Sequence, residues 1–271
     1  MTTKGIILVI TIVLLAALAV GTAGCLGGGG ERAGDMMKNI PKEAMGFTFT
    51  DVNMLRSDGD LDLMYDEWEP QYKDILDNFG IDVGDVDVFT YYYTNDEAAM
   101  LIEGSFDLGD VADEMDNQDY ENTTYNNVEM WNKDGAWVAL LENLVVAGHE
   151  DAVNDCVDVA EDGHESLCDN INLREVMDGL TSGFYIVAGD RSEVEEYPGL
   201  QAGGTSVEKK KDDILKRVVV YLFDDEDAAA AAADDIEQDF RDQEDWDNIE
   251  VKWKGLLMEA SAEVNINDYL G

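Results

Sequence analysis

The chain has 271 residues with 61 acidic and 17 basic side chains, a formal net charge of −44 at pH 7. A surface this negative is repelled by nucleic acid and by anionic lipid, which argues against both as partners of the body. The carboxylates are spread along the chain between Tyr, Trp, Phe, Val and Leu rather than gathered in a tail, so the composition describes a folded protein and not a disordered one.

The N-terminus carries Lys4 and then an almost wholly apolar run from Gly5 to Val20. A basic start, an apolar stretch and small residues before a cleavage point are the parts of a secretory signal. Thr22, Ala23 and Gly24 are small, and Cys25 directly after them fits lipid attachment at a lipobox. The run is also close to the ~20 residues of a membrane span, so a retained anchor helix is the alternative. Gly27 to Gly30 then read as a flexible tether. The expected organisation is a signal over residues 1–24, a lipidated tether over 25–39, and two globular units over 40–142 and 143–271.

Periodicity gives the elements of the body. Met45 to Val52 reads as a strand. Leu61 to Phe79 reads as a helix that Pro70 should bend or split. Val86 to Thr94 is a strong strand, and Ala98 to Phe106 pairs with it as a hairpin. Asp107 caps a helix to Asn117. Val128 to Trp131 and Trp137 to Leu141 form a hairpin around Asp134-Gly135. Leu144 to Ala147 is a short strand, followed by a helix from His149 or Glu150 to Glu161. A helix over Leu173 to Leu180 and a strand over Phe184 to Ala188 come next. Residues 191–213, polar and Gly-rich, read as a long loop. Val218 to Phe223 is a strand, Asp227 to Phe240 a helix with six consecutive alanines, and Ile249 to Trp253 with Leu257 to Val264 a closing hairpin.

Two blocks match. Phe106-Asp107 opens a helix and Asn127-Val128-Glu129-Met130-Trp131 follows; Phe223-Asp224 opens a helix and Asn248-Ile249-Glu250-Val251-Lys252-Trp253 follows. The pattern predicts an α+β fold of two ferredoxin-like β-α-β-β-α-β units, each an antiparallel sheet with helices on one face.

Cys156 and Cys168, the other two cysteines, are expected to form a disulfide outside the cytoplasm. The competing reading is a structural metal site, because the two histidines, His149 and His164, share that stretch and complete a His/Cys ligand set. Asp58, Asp60, Asp62, Asp66 and Glu69 fall on a calcium-loop frame, but Leu63 stands where the frame needs glycine. Lys209, Lys210, Lys211, Lys216 and Arg217 form a basic cluster, either a docking patch or a loop paired with nearby carboxylates. Tyr91, Tyr92, Tyr93, Trp131, Trp137 and Trp253 are strand aromatics that fit core and sheet faces better than a ligand groove. Asn122-Thr123-Thr124 is a glycosylation sequon placed in a loop. Nucleophile, metalloprotease and phosphate-loop motifs are absent, and no cofactor is implied.

The lipobox Thr22-Ala23-Gly24-Cys25 with its Gly tether, the acidic body and the phrase Leu144-Val145-Val146-Ala147-Gly148-His149-Glu150-Asp151-Ala152-Val153 together resemble archaeal lipoproteins of unknown function, of the kind found in salt-loving archaea. The resemblance implies a location outside the cytoplasm, on the outer face of the cell membrane, and carries over no functional residue except Cys25. Lys4 in place of twin arginines implies the general secretion route. The expected role is a non-enzymatic, membrane-tethered protein that binds a protein or small-molecule partner or serves the envelope. A metal-binding protein and a hydrolase with an unrecognised site are the alternatives.

Overall fold

Two strands, Val86–Tyr93 and Ile214–Phe223, are apolar on consecutive residues rather than on alternate ones. Such runs belong to strands covered on both faces. A computed structural model describes residues 31–192, 197–211, 213–243 and 245–269. The signal, Cys25 and the glycines that follow it lie outside the described residues. Among the described residues no helix is long and apolar enough to cross a membrane.

The chain forms two compact units. The first takes in residues 38–44 and 50–167, the second residues 31–37, 45–49 and 168–269. Strand β1 (Gly46–Asp51) starts in the second unit, beside β8, and ends in the first.

The first unit contains β2 (Val86–Tyr93), β3 (Ala98–Gly104), β4 (Glu121–Tyr125), β5 (Val128–Lys133), β6 (Ala136–Leu141) and β7 (Leu144–Gly148), ordered β2-β3-β7-β6-β5-β4 with antiparallel neighbours. Helices α2 (Val52–Ser57), α3 (Asp62–Asp77), α4 (Leu108–Asn117) and α5 (Glu150–Val157) complete it; α1 (Glu31–Met37) belongs to the second unit. From β3 the chain crosses through α4 to the far strand β4, then returns strand by strand to β7. Asp107 caps α4 by accepting from the Gly109 N–H at 2.7 Å. The hairpin turns Asn126-Asn127 and Asp134-Gly135 have positive φ at both central residues, the geometry whose twist matches antiparallel strands. On β2, Phe89 packs under Tyr72 of α3 with ring centroids 4.4 Å apart. Tyr92 points the other way, its hydroxyl donating to the Ala152 carbonyl of α5 at 2.6 Å. Alternate side chains thus meet helices on opposite faces of the sheet.

The second unit repeats that logic. Strands β8 (Tyr185–Asp190), β9 (Leu200–Lys211), β10 (Ile214–Phe223), β11 (Trp246–Lys254) and β12 (Leu257–Asn265) are ordered β11-β12-β10-β9-β8. Helix α7 (Glu226–Arg241) carries the chain from β10 to β11, and β12 inserts between them, so β10 and β11 run parallel one strand apart. Asp225 caps α7 by accepting from the Ala228 N–H at 2.7 Å. The alanine run favours a helix, and its small side chains bring α7 close to the sheet. Ala229, Ala232, Ala233, Ile236 and Phe240 bury against Val219, Tyr221, Phe223, Met258, Ala260 and Ala262. Val220, on the other face, meets Gly179 of α6 (Ile171–Gly179). A short α8 (Ile266–Tyr269) ends the described chain.

Several expectations are corrected. Helices lie against both faces of each unit's strands rather than one. The boundary at 142/143 would separate β6 from β7, which pair with Leu141 opposite Leu144; the first unit runs on to Leu167. Residues 31–37 are helical, with Ala33, Met36 and Met37 buried, so the tether reading fails from residue 31 onward. Most of the expected loop over 191–213 is β9. Its Gly203 and Gly204 sit in mid-strand opposite Tyr221 and Val220, where missing side chains make room for large ones. Pro70 neither splits nor ends α3. The helix expected to run to Glu161 is α-helical only to Val157, then widens into one π turn closed by Gly163 in the left-handed region at φ 69°.

The packing of β3, β6 and β7 gives a direct check. A Cβ added to Gly148 would lie 2.3 Å from the Ala98 carbonyl oxygen and 2.6 Å from the Ala99 Cα. Gly148→Val must therefore push β7 off β3, and urea unfolding should show a loss of at least about 2 kcal/mol.

Candidate functional site

The stretch singled out for its histidines and cysteines is α5 and the π turn after it. His149 is the N-cap of α5. Its Nδ1 accepts from the Ala98 N–H at 3.0 Å, and its own N–H donates to the Ala98 carbonyl at 3.1 Å. Glu97 adds a third link, accepting from the Ala152 N–H at 2.9 Å. Together these contacts fix the start of α5 on the β2–β3 hairpin, a structural task for both side chains.

Two turns from His149, Cys156 is wholly buried and its Sγ lies 3.5 Å from the Tyr92 hydroxyl. Burial pushes the Cys156 thiol up to about 12; the Asp155 charge raises it further and the Tyr92 contact opposes. Burial, reinforced by Cys156, likewise drives the Tyr92 hydroxyl well above its ordinary value. Burial favours the neutral form of both groups, and the pair is a buried contact between α5 and β2.

The expected Cys156–Cys168 disulfide is not formed. Cys156 faces Tyr92 in the first unit, whereas Cys168, in the second, has its Sγ 3.8 Å from the Gly34 carbonyl of α1.

His164 follows Gly163 and lines an open cleft of about 410 Å³ with Pro41, Glu43, Asp155, Val159 and Glu165. Glu165 of this lining pairs with Lys42 at 2.9 Å. The carboxyl of Asp155 is raised, first by burial and then by the charges of Asp158, Asp151, Glu43 and Glu97. Asp158 is held from the β4–β5 turn, by Tyr125 at 3.1 Å and Asn126 at 2.7 Å, and Asn126 also reaches Asp162 at 2.9 Å. His149, Cys156, His164 and Cys168 therefore do not converge. Among the described residues no three His, Cys, Asp or Glu side chains come together to hold a metal ion.

The other candidates resolve individually. Asp58 caps a short helical turn by accepting from the Asp60 N–H at 3.1 Å, and Asp62, Asp66 and Glu69 are on α3, so the calcium-loop frame is helix. The basic cluster is on the β9–β10 hairpin rather than in a loop. Lys216 pairs with Glu208 at 3.7 Å, Lys210 with Glu263 at 3.8 Å, and Arg217 lies over the Trp246 ring at 5.2 Å. Lys210 and Lys211 line a second open cleft of about 420 Å³ that also holds Asp245, Asp247, Glu263 and Asp268. The aromatics Tyr91, Tyr92 and Trp131 are buried, Tyr93 and Trp137 are half-buried, and Trp253 is exposed. Asn122 is exposed on β4, an edge strand and not a loop.

Two features went unread in the sequence. The aromatic stack of Trp68, Tyr72 and Phe89 depends on α3 lying over β2, which periodicity alone does not specify. The engagement of His149 and Glu97 with α5 depends on β3 pairing with β7, forty-odd residues later in the chain.

No protein-family model matches the chain, and no curated protein matches it. Solved structures do. Crystal form III of the bacterial protein TP0453 superposes with a TM-score of 0.55 at 8% identity, covering 86% of this chain and 95% of that one. Crystal form IV gives 0.54 at 9% identity, covering 86% and 94%. At this identity the likeness shows the fold alone.

Thiol chemistry checks the cysteine assignment. In the native protein a maleimide probe at pH 7 should leave Cys156 unmodified, and denaturation without reductant should expose both Cys156 and Cys168 to it. Recovery of a peptide linking the two in the unreduced protein would contradict the structure.

Proposed function

We propose that the protein is a lipid-anchored component of the outer face of the cell membrane, adapted to concentrated salt, that acts by binding a partner rather than by catalysis. The observation that carries this reading is Cys25, set directly after Thr22-Ala23-Gly24 at the end of the apolar run from Gly5 to Val20. Signal, lipobox and glycine tether are what export and anchoring require together.

The charge supports the salt-adapted part of the reading. Sixty-one carboxylates against 17 basic groups would strain a folded body in dilute buffer, and the screening length falls to ~3 Å at 1 M salt. A binding role is in keeping with the engagement of His149, whose Nδ1 accepts from the Ala98 N–H in fastening α5 to its hairpin.

The test is the mature N-terminus. Protein isolated from membranes should begin at Cys25 and carry lipid mass on it, and Cys25→Ser should lose that mass and leave the detergent phase. An intact Met1 on the membrane-bound protein would sink the anchoring mechanism.

A further inference from the structure

Strands β4 and β11, each with a neighbouring strand on one side alone, are built differently. β4 is five residues long and polar throughout, with Glu121, Asn122, Thr123 and Thr124 all exposed. That is how a sheet edge is kept from pairing with another chain. β11 is nine residues long and alternates. Ile249 and Val251 lean on the α7 core, and Trp253, next on the same face, is 58% exposed. Glu250, Lys252 and Lys254 occupy the other face, all exposed. On its inner side β11 pairs with β12, regularly from Glu250 to Lys254, with a register shift before Glu250. On its outer side alternate N–H and C=O groups face away from β12.

We infer that β11 is a self-pairing edge: two copies of the chain associate through antiparallel β11–β11 pairing about a two-fold axis at Val251. The occupant follows from the pattern of the strand. In this register Glu250 of each copy stands opposite Lys252 of the other, so two opposite-charge pairs form and no like charges face each other. Ile249 stands opposite Trp253 of the second copy, so the exposed ring gains an apolar neighbour on the face it already shares with Val251. An isologous contact of this kind requires a surface complementary to itself, and the order Ile-Glu-Val-Lys-Trp is complementary to its own reverse about the central valine. Within each copy Glu250 and Lys252 already reach each other at 2.5 Å along the strand, both well exposed; pairing exchanges these two contacts, one per copy, for two cross-strand ones. In a body of charge −44, this strand is a place where two copies meet without opposing carboxylates.

Cysteine cross-linking of the mature, anchored protein in its membrane tests the register. Directly opposed residues in an antiparallel pair have Cα atoms ~4.5–5.5 Å apart, within disulfide reach. Val251→Cys should therefore give a covalent dimer when diamide takes up the two thiol hydrogens, in about 1 M salt so that the bodies do not repel. Glu250→Cys, displaced along the strand from its own copy, should cross-link far more slowly. In the Val251→Cys background, Glu250→Lys should cut dimer yield about tenfold, and adding Lys252→Glu should restore it. If Val251→Cys fails to fold, mixing Ile249→Cys chains with Trp253→Cys chains reads the same register. Absence of the dimer in folded protein, equal cross-linking at Glu250→Cys, or failure of the charge swap to restore it would each overturn the inference. So would a chain that stays monomeric while Trp253 fluorescence shifts on adding phosphatidylcholine vesicles.

Discussion

Every carboxylate the chain carries has to stay in reach of water, and the architecture is arranged around that requirement. Among the described residues the buried polar side chains are Thr50, Thr90, Thr205, Ser206 and Ser261, none of them charged. An ionised carboxylate taken into an apolar interior without a partner is strongly disfavoured. With 17 basic residues the chain cannot supply partners for 61 acids. The interiors are therefore neutral, built from strands such as β2 and β10 that are apolar on both faces. Acids are kept on loops, helix starts and the solvent-facing sides of helices and strands, as Glu250 is on β11. Asp51, Asp58, Asp82, Asp107 and Asp225 each cap a helix or helical turn, where a carboxylate satisfies an N–H that would otherwise lack a partner.

Covering a sheet on both faces has structural consequences. Tyr92 and Phe89, three residues apart, belong to different layers, one under α5 and one under α3. Val220 and Tyr221, adjacent in sequence, are likewise divided between α6 and α7. Close approach then matters at particular glycines, Gly148 among them. His149, Glu97 and Cys156 become fasteners of a helix to a hairpin.

The element types were largely legible because strong periodicity and Asp caps are local signals. Val86 to Thr94, the helix capped by Asp107 and the Asp134-Gly135 hairpin stand where the residues put them. What escaped notice was decided by pairing. β4 has no apolar side chain before Tyr125 to mark it and exists because β5 offers it a partner. β9 was masked by glycines and polar residues whose role is to fit beside Tyr221 and Val220. The expected boundary at 142/143 falls between β6 and β7 because β7 pairs with both β3 and β6 inside the first unit. The candidate site suffered from the same cause. His149, Cys156, His164 and Cys168 are close in sequence, and the fold sends Cys156 inward to Tyr92, His164 to an open cleft and Cys168 to α1.

A neutral, two-faced interior has to hold together a shell whose charges repel, so stability is governed by screening. The direct measurement is the thermal midpoint of the protein as sodium chloride rises. The screening length falls from ~10 Å at 0.1 M to ~3 Å at 1 M, and the account predicts that most of the rise in midpoint falls within that interval, equally in potassium chloride. A midpoint that is flat or falling across it would contradict the account.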